Sequence, residues 1–330
     1  MRLLQLSSGD LVADRRAAYA AALADDREFV AAADLMVQAL ELAPGWAAGW
    51  CLLGDYCAEA GDSAGAIAAY RELARHDGEG FFGAALKLAA HGAAPAPIGT
   101  EITYVETLFD DYAQRFEAEL VLGLGYQAPG RLAELIEAEL RRLGLEQVGL
   151  ALDLGCGTGL MGERLKHRSS FLEGVDLSAA MVEAAGRKGI YDRLEKAELT
   201  AFLAGHAGGV DLVAAADVLN YCGALPPILA AVAARLAPGG LFAFTLEQHV
   251  GSEAMVLQTS LRYAHSASAA RSACLEAGFE IVAFETAALR HDRGAPVEGI
   301  LALVRKPLAA VGATAELGEA EPPTVAMTLN

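Results

Sequence analysis

The sequence predicts an α/β fold: a doubly wound, mostly parallel sheet with one antiparallel strand, preceded by an all-α segment of helical repeats. Three observations carry this expectation. From Val148 onward, short apolar runs alternate with amphipathic stretches of helical period, the pattern of strands that return through crossover helices. A glycine-rich turn at Gly155, Gly157 and Gly159 directly follows the first apolar run. Between about residues 10 and 90, Ala- and Leu-rich stretches recur at a fixed spacing.

The elements come in order along the chain. Trp50, Leu53 and Gly54, then Gly61, Ala66 and Tyr70, stand at the offsets of a 34-residue tetratricopeptide pattern. An earlier copy aligns Ala32 with Ala66, Met36 with Tyr70 and Pro44 with Gly78, but it lacks the Trp and Gly of the first helix, so an unrelated helical hairpin is the alternative. Two helix pairs cannot bury a continuous core alone, so "FFGAALKLAA" (81–90) reads as a capping helix and the array is expected to lean on the α/β domain. The Pro-, Gly- and Ala-rich "HGAAPAPIGT" (91–100) marks the boundary. Residues 1–92 are thus a tetratricopeptide-like helical domain, 93–147 a linker with lid helices, 148–306 the α/β domain and 307–330 a tail of little periodicity, expected to be disordered.

Within the α/β domain, "VGLALDLG" and "FLEGVDLS" read as strands separated by the helix "LMGERLKH", with "AAMVEAAGRKG" as the second helix. Then "VDLVAAADVL" and "GGLFAFTLE" read as strands around the helix "LPPILAAVAARL"; they are the fourth and fifth of the sheet once the third strand implied by the family resemblance given below, ahead of "KAELTAFL", is counted. After the helix "AARSACLEAGF", the runs "EIVAFETAALR" and "EGILALVRK" form a closing hairpin, which sets one strand antiparallel.

Composition bounds the function. The 330 residues are 54% hydrophobic and 21% charged, as in ordinary globular chains, and carry a formal charge of −18, which disfavours a nucleic-acid substrate. Cys51, Cys57, Cys156, Cys222 and Cys274 are odd in number and never spaced C-x-x-C, so neither a disulfide framework nor a metal site is expected. No apolar run approaches the ~18 residues of a membrane span, and the start does not read as a signal peptide. A cytoplasmic, membrane-free protein is expected.

The glycine turn admits two ligands. Gly157, Gly159 and Gly162 satisfy the dinucleotide pattern G-x-G-x-x-G, whereas Gly155, Gly157 and Gly159 spell G-x-G-x-G after an Asp. Register separates them. The dinucleotide pattern places its first glycine directly after the strand, here Gly155, and counting from there puts Leu160 where the third glycine belongs. Asp153, in the last residues of the strand, would repel a pyrophosphate and suits a ligand with an ammonium group. Asp176, ending the second strand, can take ribose hydroxyls of either ligand.

The motifs "LDLGCGTGLMGERL", "GVDLSAAMVEAA", "VDLVAAADVLNY" and "LAPGGLFAFTLE", in this order and spacing, resemble class I S-adenosylmethionine-dependent methyltransferases, whose domain is Rossmann-like, over about 104–306. The helical repeats together with "LFDDYAQRFEAELVLGLGY" further resemble a bacterial group of such enzymes with N-terminal tetratricopeptide repeats. The resemblance implies S-adenosyl-L-methionine as cofactor and EC 2.1.1.- activity. It implies that Asp153 holds the methionine ammonium, that Gly155, Gly157 and Gly159 wrap the methionine and ribose, and that Asp176 takes the ribose hydroxyls. Leu177 and Met181 would flank the adenine, with Glu198 standing where the family often has Asp at the adenine amino group, beside Leu199. Asp217 and Val218 would line the methionine side.

Methyl transfer needs alignment more than a covalent nucleophile, and alignment can supply about 7 to 11 kcal/mol. Tyr104, Phe109, Tyr112 and Phe116 stand ahead of the sheet, where small-molecule members of the family close an aromatic segment over the cofactor. Tyr112 is then a cofactor and catalytic candidate and Tyr104 and Phe116 are acceptor contacts, while the same spacing also suits the buried stripe of an amphipathic helix. His249, beyond the fifth strand, and His265, with Tyr263 in "RYAHSASAA", are candidate bases or acceptor ligands, or else solvated or capping residues. Asn220 and Tyr221 follow the fourth strand as candidate acceptor contacts and do not spell a Pro-Pro-Tyr amide-methylating motif. Arg290 and Arg293 either bind an anionic group or are ordinary surface charges of a hairpin.

The expected function is methyl transfer to O, N or C of a small molecule. Three alternatives stay open: a nicotinamide oxidoreductase, a peptide methyltransferase docking its substrate on the repeats, and a non-catalytic cofactor-binding partner protein. Docking of a protein or self-association would go through the helical repeats.

Overall fold

The computed structural model describes residues 7–113, 115–117, 125–292 and 295–308. Four helices open the chain, α1 (Leu11–Asp25), α2 (Phe29–Leu40), α3 (Ala47–Glu59) and α4 (Ser63–His76), each packed on the next. Small residues allow this packing: a Cβ at Gly54 would stand 2.2 Å from the Tyr70 ring, so the glycine lets α3 and α4 approach closely. Ala13, Ala32, Met36, Leu53, Ala66 and Leu73 form their shared core.

The short helix α5 (Ala84–Ala90) caps α4 and carries Leu86 into a second apolar cluster with Leu261 and Tyr263 of the α/β domain. The helical array therefore leans on the sheet domain through one small hydrophobic contact. Helix α6 (Ile102–Tyr112) comes next, then α7 (Ala128–Leu143), which has Pro129 in its first turn and ends on Gly144 at φ 71°.

The sheet contains β1 (Val148–Leu154), β2 (Ser169–Asp176), β3 (Arg193–Lys196), β4 (Val210–Ala215) and β5 (Leu236–Gln248), with helices α8 (Leu160–Leu165), α9 (Ala179–Arg187), α10 (Leu199–Gly205) and α11 (Leu225–Arg235) between them. Its later elements are β6 (Met255–Leu257), β7 (Tyr263–His265), α12 (Ala267–Glu276), β8 (Glu280–Asp292) and β9 (Ala295–Arg305). The order is β3-β2-β1-β4-β5, all parallel, after which β9 pairs antiparallel with both β5 and β8. Both faces are covered, because the central strands alternate apolar residues between two cores. Leu152, Val213 and Phe244 point to one, under α11 and α12, while Ala151, Leu212 and Ala243 point to the other, under α7 and α8.

The antiparallel strand expected from the closing hairpin is β9. A difference lies in "HVGSEAMVLQTSLRYAHS", which folds into the three-residue strands β6 and β7; β7 extends β5 in parallel at Glu247 and Gln248, and β6 returns antiparallel. Among the described residues, no helix is long and apolar enough to cross a membrane. Residues 309–330 of the expected tail, and Arg293, which falls between β8 and β9 in sequence, lie outside the described residues.

Candidate active site

Strand ends make the site. In a doubly wound sheet the carboxyl ends of neighbouring strands diverge where the chain order reverses, here between β1 and β4, and leave a crevice. A cavity of about 310 Å³ occupies it, near the lower end of small-molecule pockets.

The floor is the glycine turn. Gly155, Gly157 and Gly159 have φ of 64°, 53° and 95°, a left-handed run that other residues adopt only at a cost, and a Cβ at Gly155 would meet Val218 at 2.5 Å. Gly155, Gly157 and Val218 line the cavity, whereas Gly159 stands behind it as the cap of α8. Asp176 lines it from the end of β2, its carboxylate fixed by the Gly157 N–H at 2.9 Å and the Ser178 N–H at 2.8 Å. Burial pushes this carboxyl up and the N–H donors pull it back.

Gly162, the residue that completes the dinucleotide pattern, has another reason to be glycine. A Cβ there would stand 2.1 Å from the Tyr191 hydroxyl, and that hydroxyl passes over it to donate to Asp153 Oδ2 at 2.7 Å. Asp153 is 1% exposed, its Oδ1 has no hydrogen-bond partner among the described residues, and burial pushes its carboxyl up to about 7. Asp153 does not itself line the cavity; its unpaired carboxylate oxygen, buried beside the glycine turn, is the feature that would suit a ligand bearing an ammonium group.

Leu177, Glu198 and Leu199 continue the wall, and Glu198 caps α10 by accepting the Ala201 N–H at 2.8 Å. Asp217, at the end of β4 with φ 63°, lines the other side; its carboxylate accepts from Asn220 Nδ2 at 2.9 Å and from Arg290 Nη1 at 2.8 Å.

The roof is aromatic. Phe109 and Tyr112 of α6, with Phe116, line the cavity, and Phe109 stacks edge-on against Tyr221 at 5.2 Å between ring centroids. Asp110 ties this roof to the cofactor-side loops, accepting from Ser178 Oγ at 2.5 Å, and Glu106 pairs with Lys196 at 2.8 Å.

Other candidates sit elsewhere. Met181 is on the buried face of α9 and Tyr104 packs on Gly83, both outside the cavity lining. Asn220 is buried behind Asp217 and braces β5 by accepting the Glu247 N–H at 2.8 Å. Tyr263 donates to the Pro97 carbonyl at 2.6 Å, pinning the linker to β7. His265 is buried with Nε2 2.9 Å from the Gly223 carbonyl, and His249 has Nε2 3.4 Å from the Glu253 carboxylate; neither lines the cavity. His265→Ala is accordingly expected to lower stability by about 1 to 3 kcal/mol in urea unfolding while leaving affinity for S-adenosylhomocysteine within about threefold of the parent.

Sequence reasoning missed a charged network. Arg290, whose local sequence also suits a surface charge, is 4% exposed and bridges Asp217 and Glu247, and Arg262 binds Glu247 Oε1 at 3.0 Å and lines the cavity. Its members come from β4, β5, β8 and the start of β7, so no local motif announces it.

Residues 152–242 match the family described as "Methyltransferase domain". A trans-aconitate 2-methyltransferase of Pseudomonas paraeruginosa is 40% identical over 97 residues, 28% of this chain and 33% of that protein. A ubiquinone biosynthesis O-methyltransferase of Psychrobacter cryohalolentis is 31% identical over 105 residues, 29% of this chain and 41% of that protein. The chain thus spans well under half the length of these curated relatives. Among solved structures, the [4+2]-cyclase SpnF superposes with a TM-score of 0.52 at 19% identity, covering 64% of this chain and 98% of that one, a likeness of fold alone. The likeness to a methyltransferase domain thus lies in residues 152–242, which run from β1 into β5 and carry the glycine turn, Asp176 and Asp217.

Proposed function

We propose that the protein is a methyltransferase that moves the methyl group of S-adenosyl-L-methionine to an O, N or C atom of a small molecule. The observation that carries this reading is the continuity of one cavity from the glycine turn and Asp176 to the aromatic roof at Phe109, Tyr112 and Tyr221. When bound, the cofactor supplies a methyl group activated on a cationic sulfur.

The chain's residues divide the remaining work. Asp176 receives the ribose hydroxyls, the unpaired Oδ1 of Asp153 attracts the ammonium, and Glu198 with Leu177 and Leu199 holds the base. The aromatic roof excludes water and its ring faces favour a cation beneath them. Tyr112 contributes as a wall of this roof. The helical repeats, which we read as tetratricopeptide-like, brace the β6–β7 hairpin through Leu86 and so hold one edge of the site in place.

A small acceptor fits better than a peptide because the cavity is small and roofed. The names of the two relatives, a trans-aconitate and a ubiquinone-biosynthesis enzyme, point the same way. The test is incubation of the full chain with methyl-labelled S-adenosylmethionine and a panel of small carboxylic acids, phenols and amines. Acceptor-dependent formation of S-adenosylhomocysteine is expected, and label transferred only to protein in a lysate would contradict the small-molecule reading.

A further inference from the structure

Arg262 is the single basic residue among the described residues lining the cavity. Its guanidinium is already oriented. Nε donates to the Tyr221 hydroxyl at 2.9 Å, Nη1 donates to Glu247 Oε1 at 3.0 Å, and the group lies 5.6 Å from the centre of the Tyr221 ring. Glu247, 2% exposed, is itself clamped by Arg290, so the support behind Arg262 is buried and rigid. Nη2 has no hydrogen-bond partner among the described residues and remains available as a donor.

The Tyr221 hydroxyl is constrained by the same bond. A guanidinium cannot accept, so the oxygen of Tyr221 takes the Arg262 N–H on a lone pair and its own proton must point elsewhere. Tyr221 lines the cavity, and burial raises its phenol above the ordinary value, so the group stays protonated. Two fixed donors, one charged and one neutral, therefore share one edge of the cavity.

Resting on the methyl-transfer reading above, we propose that Arg262 and Tyr221 bind a carboxylate of the methyl acceptor, whose planar or apolar body lies against Phe109 and Tyr126. A carboxylate offers two acceptor oxygens to two donors, as in the charge-assisted pairs that Arg makes. A primary amide of the same shape offers one acceptor and one donor, and its NH2 would face a donor with no partner. The charges of Arg262 and Arg290 are balanced by Glu247 and Asp217, and Asp176 and Glu198 add negative charge, so a monoanion suits the site better than a phosphate dianion.

The test uses the full chain saturated with S-adenosylhomocysteine, whose binding is measured first by calorimetry. Matched probes are then titrated: benzoate and benzamide, cinnamate and cinnamamide, hexanoate and hexanamide. At least one carboxylate is expected to bind about tenfold or more tightly than its amide, the difference made by a single charge-assisted hydrogen bond. Arg262→Gln should reduce that preference to within about twofold, and Tyr221→Phe, which keeps the ring of the roof, should reduce it partly, each carboxylate being compared with its own amide in the same S-adenosylhomocysteine-saturated variant. If Arg262→Gln does not fold, Tyr221→Phe decides alone. No preference for any carboxylate, or a preference that the substitutions leave undiminished, overturns the proposal while leaving the cofactor reading intact. Failure of S-adenosylhomocysteine itself to bind overturns both.

Discussion

Asp176→Ala is expected to weaken binding of S-adenosylhomocysteine by about a hundredfold or more in a calorimetric titration. Two hydrogen bonds to a charged group are lost, each worth about 1.5 to 3 kcal/mol, and every 1.4 kcal/mol is tenfold. A further loss adds to this, because the same carboxylate holds the Gly157 N–H at 2.9 Å and so fixes the turn that receives the ligand. Asp176→Asn is the milder change, since its amide oxygen can still accept from Gly157, while its NH2 can accept neither from the Ser178 N–H nor from a ribose hydroxyl. The expected order of affinity is parent, Asn, Ala. A loss of less than about fivefold in the Ala variant would remove Asp176 from the ribose site.

Asp153→Asn is expected to stabilise the ligand-free protein and to abolish its cofactor affinity. The sign is set by burial. An aspartate near 3.8 in the unfolded chain is pushed up to about 7 when folded, so the folded state binds the extra proton between those values. The stability contributed by Asp153 is complete below about pH 4 and is lost as pH rises through about 7. The Asn variant carries no such loss, so at about pH 8 it should exceed the parent by roughly 2 to 4 kcal/mol in urea unfolding, and the two curves should converge toward about pH 4. An ammonium placed at the unpaired Oδ1 would reverse the balance by favouring the carboxylate. Binding of S-adenosylhomocysteine at about pH 6 should therefore release a proton, read as an enthalpy that depends on the buffer. Equal stability of parent and variant across roughly pH 4 to 8 would show that Asp153 does not carry the buried charge.

Most of the sheet is legible in the sequence because it is written locally. Strands β1, β2, β4, β5, β8 and β9 contain apolar runs, whereas β3 (Arg193–Lys196) is mostly charged; the carboxyl ends of the parallel strands are where ligands meet such a sheet, so Gly155, Gly157, Asp176, Leu177, Glu198, Leu199, Asp217 and Val218 can be named from sequence and the family resemblance, and all line the cavity. Local signals fail where a position is decided by distant neighbours. The strands β6 and β7 are three residues each and too short to show a period. The ring of His265 is set by the carbonyl of Gly223, 42 residues away, and not by its own loop. Arg290 stands in a run with charged neighbours and reads as exposed, yet the register of β8 on β9 turns it inward to meet Asp217 and Glu247. The sequence shows Gly162 to be out of register for a dinucleotide, but the reason it is glycine, the Tyr191 hydroxyl, comes from a distant residue that no motif connects to it.

The central claim is that the glycine turn with Asp153 and Asp176 binds an adenosyl amino acid and not a dinucleotide. Calorimetric titration of the full chain with S-adenosylhomocysteine and, separately, with NAD tests it most directly. One saturable site for S-adenosylhomocysteine, greatly weakened in Asp176→Ala, and no heat with NAD is the result expected. Binding of NAD, or no binding of S-adenosylhomocysteine by protein shown to be free of bound ligand, would contradict it.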